Sequence, residues 1–459
     1  MTKHKYLLHQ KQKIVRLAFL FLLGLHLLII IVFWLYSSKF YLVSGDFSLK
    51  LIAIGRLLGL LGVSFALAQF ILISRIKVLE QTYGQDAMVR LHRKTGYLTF
   101  VTILLHPIFI IIGNALLGSV NIFSQYITLL NDYQEIGKAT LAFLGLIAVT
   151  VSSAYVVRKK LKYEWWYLVH LLTYMVVVLA YAHQLQLGTT VNITKASRIY
   201  WIFMYSVVLL VFVFNRALKP LRNYFLHKFV VESVVQESKN IVSIYITGNK
   251  LNKFSWRPGQ FGIFTFMAPG LRFEAHPFSF SYLKDDTRTI RITVKAVGDF
   301  TTKLQQVPIG SKVLIQGPYG ILGRQIEREN EVLLIAGGIG ISSIRTLFER
   351  FARSGRDVVL VYSAHEAGDL VLKSEIDALA ALFSNAKVFY LARTDGITRS
   401  DIQNGRFSVE YLVSRVFNVP GRQCFISGPP AMASAAKAAL IRIGVPGKKI
   451  YVERFSYRS

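Results

Sequence analysis

His92 and His106 stand fourteen residues apart in one apolar stretch of the chain, and His170 and His183 stand thirteen apart in another. Imidazole is a metal ligand and a proton carrier, and an ionisable group inside an apolar span is costly enough to read as functional. At about 1.5 Å per helical residue, either spacing separates its two histidines by roughly 20 Å, which fits inside a hydrocarbon core about 30 Å thick. Two matched pairs could therefore hold two b-type haems stacked across a membrane, each iron taking one imidazole from each helix. The competing reading of any single imidazole is a hydrogen bond to a neighbouring helix, which is preferred for the lone His26. At 100° per residue, fourteen residues return to within about 40° of the starting face, but thirteen leave the second imidazole about 140° away. The helix carrying His170 and His183 is thus expected to contain a local irregularity, or to present its imidazoles from opposite flanks.

Six spanning segments can position these residues, at 17–36, 51–73, 91–117, 139–157, 164–187 and 199–215. The first has no small-residue cleavage site after it and reads as an anchor. The N-terminal tail, the loops 74–94 and 158–163 and the exit after residue 215 hold eighteen basic residues, whereas the other three loops hold five. By the positive-inside rule both termini are cytoplasmic, so His92 and His170 lie toward the cytoplasm and His106 and His183 toward the exterior. Arg56, near the outer end of the second segment, needs an anionic partner at that depth. A haem propionate would supply one; a snorkelling, water-facing guanidinium is the alternative.

The remaining composition narrows the class. Of 459 residues 53% are hydrophobic, yet the apolar runs stop near Leu218, so half of the chain is membrane and half soluble. A single cysteine, Cys424, leaves neither an intramolecular disulfide nor a cysteine-ligated iron–sulfur cluster. The net charge of +29 divides evenly: twenty basic against six acidic residues in 1–215 (+14), and thirty-four against nineteen in 216–459 (+15). No basic stripe with interleaved aromatics occurs in the second half, so an anionic membrane surface accounts for the charge better than nucleic acid.

From about residue 225 short β-branched runs (Phe229–Val235, Ile241–Thr247, Gly262–Met267, Ile290–Val297) alternate with turn residues, the rhythm of an antiparallel barrel or sandwich. After Glu331 the pattern becomes strand (Val332–Ala336), glycine turn, helix (about 342–353) and strand (Val358–Ser363), which predicts a doubly wound α/β domain. Gly337-Gly338-Ile339-Gly340, with Ser342 behind it, lets main-chain amides approach a pyrophosphate. Gly317-Pro318-Tyr319-Gly320 and Ser427-Gly428-Pro429-Pro430 also end strands, and the three turns would line one cleft.

The segment His276-Pro277-Phe278-Ser279-Phe280-Ser281 resembles the flavin signature of the ferredoxin–NADP reductase superfamily, with His in a place commonly held by Arg. With Leu91-His92-Arg93-Lys94-Thr95-Gly96, the fourteen/thirteen histidine spacing, Gly-Pro-Tyr-Gly and the terminal Glu453-Arg454-Phe455-Ser456-Tyr457, the chain from about Lys50 onward resembles the NADPH oxidase and ferric reductase superfamily in a short bacterial form. The resemblance implies a bundle of six transmembrane helices (1–218) fused to an antiparallel β-barrel FAD domain (219–328) and an α/β NAD(P)H domain (329–459). It implies that Phe278 lies against the isoalloxazine, that Ser279 is near its reactive nitrogen, and that Lys295, Gly298 and Thr301 contact the FAD phosphates. Phe455 would cover the flavin face that nicotinamide must reach. A barrel strand with a core aromatic remains the plainer reading of Phe278 taken alone, as does a packed strand residue for Tyr457. Many relatives have Cys before Gly-Pro-Pro; here Ser427 excludes a thiol role. Arg393 and Arg399 could reach a 2′-phosphate while Glu366 would repel one, which tilts the reading to NADPH with NADH as the alternative.

The expected function is a superoxide-forming NAD(P)H oxidase of the cell membrane that needs FAD and two haems b, with membrane lipid, a small-molecule acceptor and no obligatory protein partner. Ferric-chelate reduction uses the same machinery, although the outer loops offer only Asp46, Asp132 and Glu135. Transfer to quinone or a periplasmic protein stays open. A transporter with a nucleotide-sensing domain, its histidines relaying protons, is the rival of a different class and predicts no haem.

Overall fold

The structure is a computed structural model that describes residues 3–158, 160–161, 163–282, 289–322, 329–393, 401–405 and 407–454. It divides into two compact units, Met1–Ala217 and Leu218–Ser459.

The first unit is helical: α1 (Lys3–Val43), α2 (Phe47–Ile73), α3 (Lys77–Tyr83), α4 (Gln85–Leu117), α5 (Ile122–Asp132), α6 (Gln134–Ser153), α7 (Tyr155–Arg158), α8 (Tyr163–Leu187) and α9 (Lys195–Val213). Among the described residues six helices are long and apolar enough to cross a membrane, over Gln12–Val43, Phe47–Ile73, Ala87–Leu117, Gln134–Ser153, Trp165–Leu187 and Lys195–His227. The sixth continues beyond the expected end through a π-helical turn, Phe214–Leu218, and α10 (Lys219–His227). The fourth stops earlier than expected, because Ala154 turns extended after Ser153. Large apolar side chains such as Phe21, Leu141, Val178 and Leu210 stay exposed on the outer faces, which only lipid makes affordable.

Without a hydrophobic force between helices in lipid, small residues decide which pair packs closest. Gly55, Gly59 and Gly62 of α2 form that stripe. A Cβ on Gly55 would stand 2.9 Å from Ile110, one on Gly59 2.9 Å from His106 Nδ1, and one on Gly62 2.5 Å from Ile103. The stripe thus fixes the contact between α2 and α4 at the height of His106. Asp46 caps α2 by accepting from the Ser48 amide at 2.7 Å, and a Thr194–Ser197 capping box starts α9.

In the second unit β1 (Val230–Ser238), β2 (Ile241–Thr247) and β5 (Ile290–Lys295) form one antiparallel sheet in the order β1-β2-β5, and β4 (His276–Ser279), β3 (Phe261–Phe266) and β6 (Val313–Tyr319) another in the order β4-β3-β6. Antiparallel bridges Val230↔Lys312 and Phe280↔Ile292 close the two into a barrel. Its core holds Phe229, Ile244, Phe264, Phe280, Ile292 and Ile315, and α11 (Asp299–Leu304) covers one end by burying Phe300 and Leu304.

The following strands, β7 (Glu331–Gly337), β8 (Asp357–Glu366), β9 (Ala386–Arg393), β10 (Ile402–Asn404), β11 (Gln423–Gly428) and β12 (Ile450–Arg454), make an all-parallel sheet in the order β10-β9-β8-β7-β11-β12. Apolar runs such as Val332–Ile335 are buried on both faces, as parallel strands between helix layers must be. One layer includes α12 (Ile341–Arg353) and α13 (Lys373–Leu382), the other α14 (Val409–Arg415) and α15 (Pro430–Arg442). The buried Arg422 ties the lower ends of three strands: it donates to the carbonyls of Phe417 (2.8 Å), Val332 (3.3 Å) and Asp357 (3.3 Å) and to the Asp357 carboxylate (2.6 Å). Arg422→Met takes the donor from three main-chain carbonyls and from the half-exposed Asp357 carboxylate, and is expected to cost about 3 kcal/mol. Calorimetry should show this as a midpoint lowered by roughly 10 °C.

Candidate functional site

The cross-helix pairing expected of the histidines is present. The rings of His92 and His170 have centroids 6.4 Å apart, as do those of His106 and His183, with interplanar angles of 62° and 65°. Two metal–nitrogen bonds of about 2 Å plus two imidazole radii of roughly 1 Å span about 6 Å, so each pair has the spacing of two ligands on opposite sides of one metal ion. Among the described residues no group of three or more His, Cys, Asp or Glu could hold a metal by itself; a two-imidazole donor set suits a metal whose other positions a macrocycle fills. His106 Nδ1 donates to the Gly55 carbonyl at 2.8 Å, which fixes the tautomer and leaves Nε2 as the ligating atom. Ser153 Oγ lies 3.4 Å from His170 Nδ1, and the Trp166 indole stacks on the His170 ring at 5.1 Å. The Nδ1 atoms of His92 and His183 are buried without a hydrogen-bond partner, although the main chain approaches both, at Gln69 and at Glu135. Helix α8 runs unbroken from Tyr163 to Leu187, so the irregularity is not there and His170 and His183 leave from opposite flanks. Arg56, next to Gly55, donates from Nη2 to the Tyr41 hydroxyl at 3.0 Å and lies 4.2 Å over that ring, while its buried Nη1 has no partner. That orphaned donor beside the His106 anchor suits an anionic group.

In the barrel, β4 sets His276, Pro277, Phe278 and Ser279 in antiparallel register with β3, Ser279 opposite Phe261. His276 stacks on Phe300 at 3.9 Å and donates from Nε2 to Glu274 at 2.8 Å. Phe278 is half-buried, and the Ser279 hydroxyl is buried with no partner, an orphaned donor that a flavin ring nitrogen would satisfy. Lys295 points its ammonium at Asp369 of the nucleotide domain, 4.0 Å away. The Thr301 hydroxyl shapes the turn instead of projecting from it: it accepts from the Val297 and Gly298 amides at 2.9 and 3.1 Å. A Cβ on Gly298 would meet nothing within 4 Å, so this turn has open space in front of it.

The glycine turn after β7 and the end of β11 touch main chain to main chain. A Cβ on Gly340 would lie 2.2 Å from the Ser427 carbonyl oxygen, and one on Gly428 3.1 Å from Gly337 Cα; Gly338 has φ +50°. The order β8-β7-β11 makes this the point where the strand order reverses, the place where doubly wound sheets bind ligands. Ser342 and Ser427 are buried, and Ser427 Oγ is 2.9 Å from Ser343 Oγ, so its side chain braces the two turns. Pro429 approaches Gly337 and leads into α15. The third turn joins the others through the barrel, since Gln260 donates to the Gly320 carbonyl (3.3 Å) and the Gly259 amide to Thr346 of α12 (3.1 Å). Arg393 is exposed at the end of β9, in register with Glu366. Arg399 and Phe455 lie outside the described residues. Cys424 is buried in β11 and burial pushes its thiol up to about 12, so it is protonated and inert at neutral pH.

The partners Tyr41, Gly55, Ser153, Trp166 and Thr346 escaped the sequence reading. Only the glycine stripe had a signal there, small residues four and then three apart in an apolar helix.

Residues 58–181 match the ferric reductase like transmembrane component family, 228–322 an FAD-binding domain family and 334–438 the oxidoreductase NAD-binding domain family. The toluate 1,2-dioxygenase electron transfer component of Pseudomonas putida is 27% identical over 50% of this chain and 68% of its own length. NADH-cytochrome b5 reductase 1 of Eremothecium gossypii is 28% identical over 35% of this chain and 58% of that protein. The chain therefore spans between about half and two thirds of the length of such relatives. Among solved structures, a flavohemoglobin from Malassezia yamatoensis with bound FAD and heme aligns at 18% identity and TM-score 0.44, over 92% of this chain and 99% of that one. The FAD/NAD-binding domain of nitric oxide dioxygenase from Vibrio cholerae aligns at 22% identity and TM-score 0.42, over 50% and 97%. With a ferric reductase-like membrane component, an FAD-binding domain and an NAD-binding domain in one chain, this protein is an oxidoreductase with the architecture of the NADPH oxidase and ferric reductase superfamily.

Proposed function

We propose that this membrane oxidoreductase passes electrons from cytosolic NAD(P)H through FAD and two b-type haems to an acceptor outside the cell membrane, chiefly dioxygen, which leaves as superoxide. The observation that carries the reading is the pair of histidine pairs, both at 6.4 Å, shared by α4 and α8. His92 with His170 would hold the inner haem and His106 with His183 the outer one, with Arg56 on a propionate. When bound, FAD takes a two-electron hydride from dihydronicotinamide and passes single electrons on to haem iron. Overall, one NAD(P)H and two dioxygen molecules give NAD(P)⁺, one proton and two superoxide ions. The glycine turns at Gly337–Gly340 and Gly428 bring main-chain amides to the nucleotide phosphates, and Ser279 offers its hydroxyl to the flavin edge. Loop charge supports cytoplasmic termini, and from that side electrons would move outward, downhill by about 2.3 kcal/mol per 100 mV across a membrane negative inside.

Dioxygen is favoured over a ferric chelate by the state of the outer acids: Asp46 caps α2 and Glu135 is paired with Lys138 at 2.7 Å. Purified protein given FAD and NADPH or NADH under air should reduce cytochrome c, and superoxide dismutase should suppress most of that reduction. Dismutase without effect, with ferric chelates reduced anaerobically at an equal or higher rate, sinks the oxidase reading. Gly59→Val, which drives a branched side chain into the His106 imidazole, should lower haem content by roughly half while flavin reduction by NAD(P)H persists. The haem-to-flavin ratio measures it.

A further inference from the structure

Where the barrel meets the nucleotide domain, four charged groups are drawn together and three of them are nearly closed off from solvent. Arg291 on β5 and Arg345 on α12 are each 3% exposed and Glu349 on α12 is 2% exposed. Glu375 on α13 reaches between the two guanidinium groups: one oxygen accepts from Arg291 Nη1 at 2.9 Å, and the other pairs with Arg345 Nη2. Arg345 Nη1 pairs with Glu349, and the Tyr282 ring lies 5.1 Å from one guanidinium and 5.2 Å from the other. Buried ion clusters are poor stabilisers compared with apolar packing, and the best-attested reason to keep one is that it fixes a particular arrangement.

What this cluster fixes follows from the other donors of Arg291. Its Nη2 donates to the Ser281 carbonyl at 2.6 Å and its Nε to Ser281 Oγ at 3.2 Å. Ser281 Oγ is also 3.0 Å from Thr293 Oγ1, and the Ser281 amide donates to the Arg291 carbonyl at 2.9 Å. Ser281 stands two residues beyond Ser279, the buried hydroxyl left without a partner. One planar guanidinium therefore grips the main chain beside Ser279 with one edge and a carboxylate of the nucleotide domain with the other, a fork that lysine cannot reproduce.

We propose that Arg291 is a positioning residue for the hydride step: held between the Ser281 main chain and Glu375, it makes the placement of the Ser279 hydroxyl depend on how the nucleotide domain is docked. The proposal rests on the assignment of Ser279 to the flavin edge. Glu375 is the gentler site to test, because its side chain is 25% exposed and borders an open cavity of about 490 Å³ lined also by Glu232, Tyr245, Tyr282 and Thr289. Water there can solvate Arg291 when the carboxylate is gone.

The experiment uses the full-length FAD-loaded protein in detergent, with anaerobic stopped-flow reduction of flavin by NADPH or NADH and with the flavin midpoint potential. Glu375→Gln and Arg291→Lys should each slow flavin reduction at saturating nucleotide by roughly ten- to hundredfold, with nucleotide Kd and flavin content unchanged and the flavin potential displaced. Their double variant should be no slower than the slower single, since both break one linkage, and Glu375→Asp should recover most of the rate. If both single variants reduce flavin at the wild-type rate and potential, whatever their thermal stability, the proposal is overturned. Ser279→Ala separates the two ways of failing. Should it slow reduction while Glu375→Gln does not, the coupling is wrong and the flavin assignment stands; should it also have no effect, the assignment of Ser279 falls and the proposal with it.

Discussion

His106→Ala is expected to remove one of two haems and to lower acceptor reduction by more than about 100-fold, while flavin reduction by NAD(P)H continues. The structure explains why so much hangs on one imidazole. His106 stands 6.4 Å from its counterpart His183, and its Nδ1 is bound to the Gly55 carbonyl, so the ring is held in one tautomer and one direction. Alanine leaves His183 without a partner and removes the hydrogen bond that ties α4 to the Gly55 carbonyl of α2. His26→Ala is the control. His26 is also a histidine in a spanning helix, hydrogen-bonded to the Tyr200 hydroxyl at 2.5 Å and lying outside both pairs, and that variant should keep both haems. Haem content by pyridine haemochrome, with cytochrome c reduction alongside, distinguishes the two; two full haems in His106→Ala would refute the ligand assignment.

At the opposite end of the path, Gly340→Ala should leave the haems intact and reducible by dithionite but slow flavin reduction by NAD(P)H about 100-fold, near 2.7 kcal/mol of lost binding and orientation. A methyl group there meets the Ser427 carbonyl oxygen at 2.2 Å and its carbon at 2.5 Å. Both are main-chain atoms of a central strand, so the turn must move away from β11 and carry its amides off the phosphate position. Gly447→Ala is the matched comparison, because a Cβ there also meets nothing within 4 Å and the residue belongs to none of the three glycine turns; its rate should stay close to wild type. Equal rates for Gly340→Ala and the unmodified protein in stopped-flow would remove the β7 turn from the nucleotide site.

The elements that follow a period were legible in the chain. Six apolar runs predicted six spanning helices, and Ile241–Thr247 is a strand with the bounds its β-branched residues suggested. The histidine pairing was also readable, since spacing along two helices sets depth, and depth decides which imidazoles can meet. Helix ends were less legible: the sixth span runs on through a π-helical turn to His227, where polar residues ended the hydropathy signal without ending the helix. The loop between the third and fourth spans hid α5, an amphipathic helix too short for a spanning signal. What sequence could not provide was the partner of each site residue. Nothing local to Arg56 names Tyr41, nothing near His106 names Gly55, and Arg291 and Glu375 are joined across 84 positions. Such contacts depend on tertiary packing, which no window of sequence contains.

The most direct test is anaerobic. Purified protein reconstituted with FAD and mixed with NADPH or NADH should show two b-type haems per chain, both reduced by nucleotide alone on addition of either substrate it accepts, with a sharpened α band. A preparation without haem, or haems that only dithionite reduces while the flavin is already reduced, would contradict an electron path from nucleotide to the two histidine pairs.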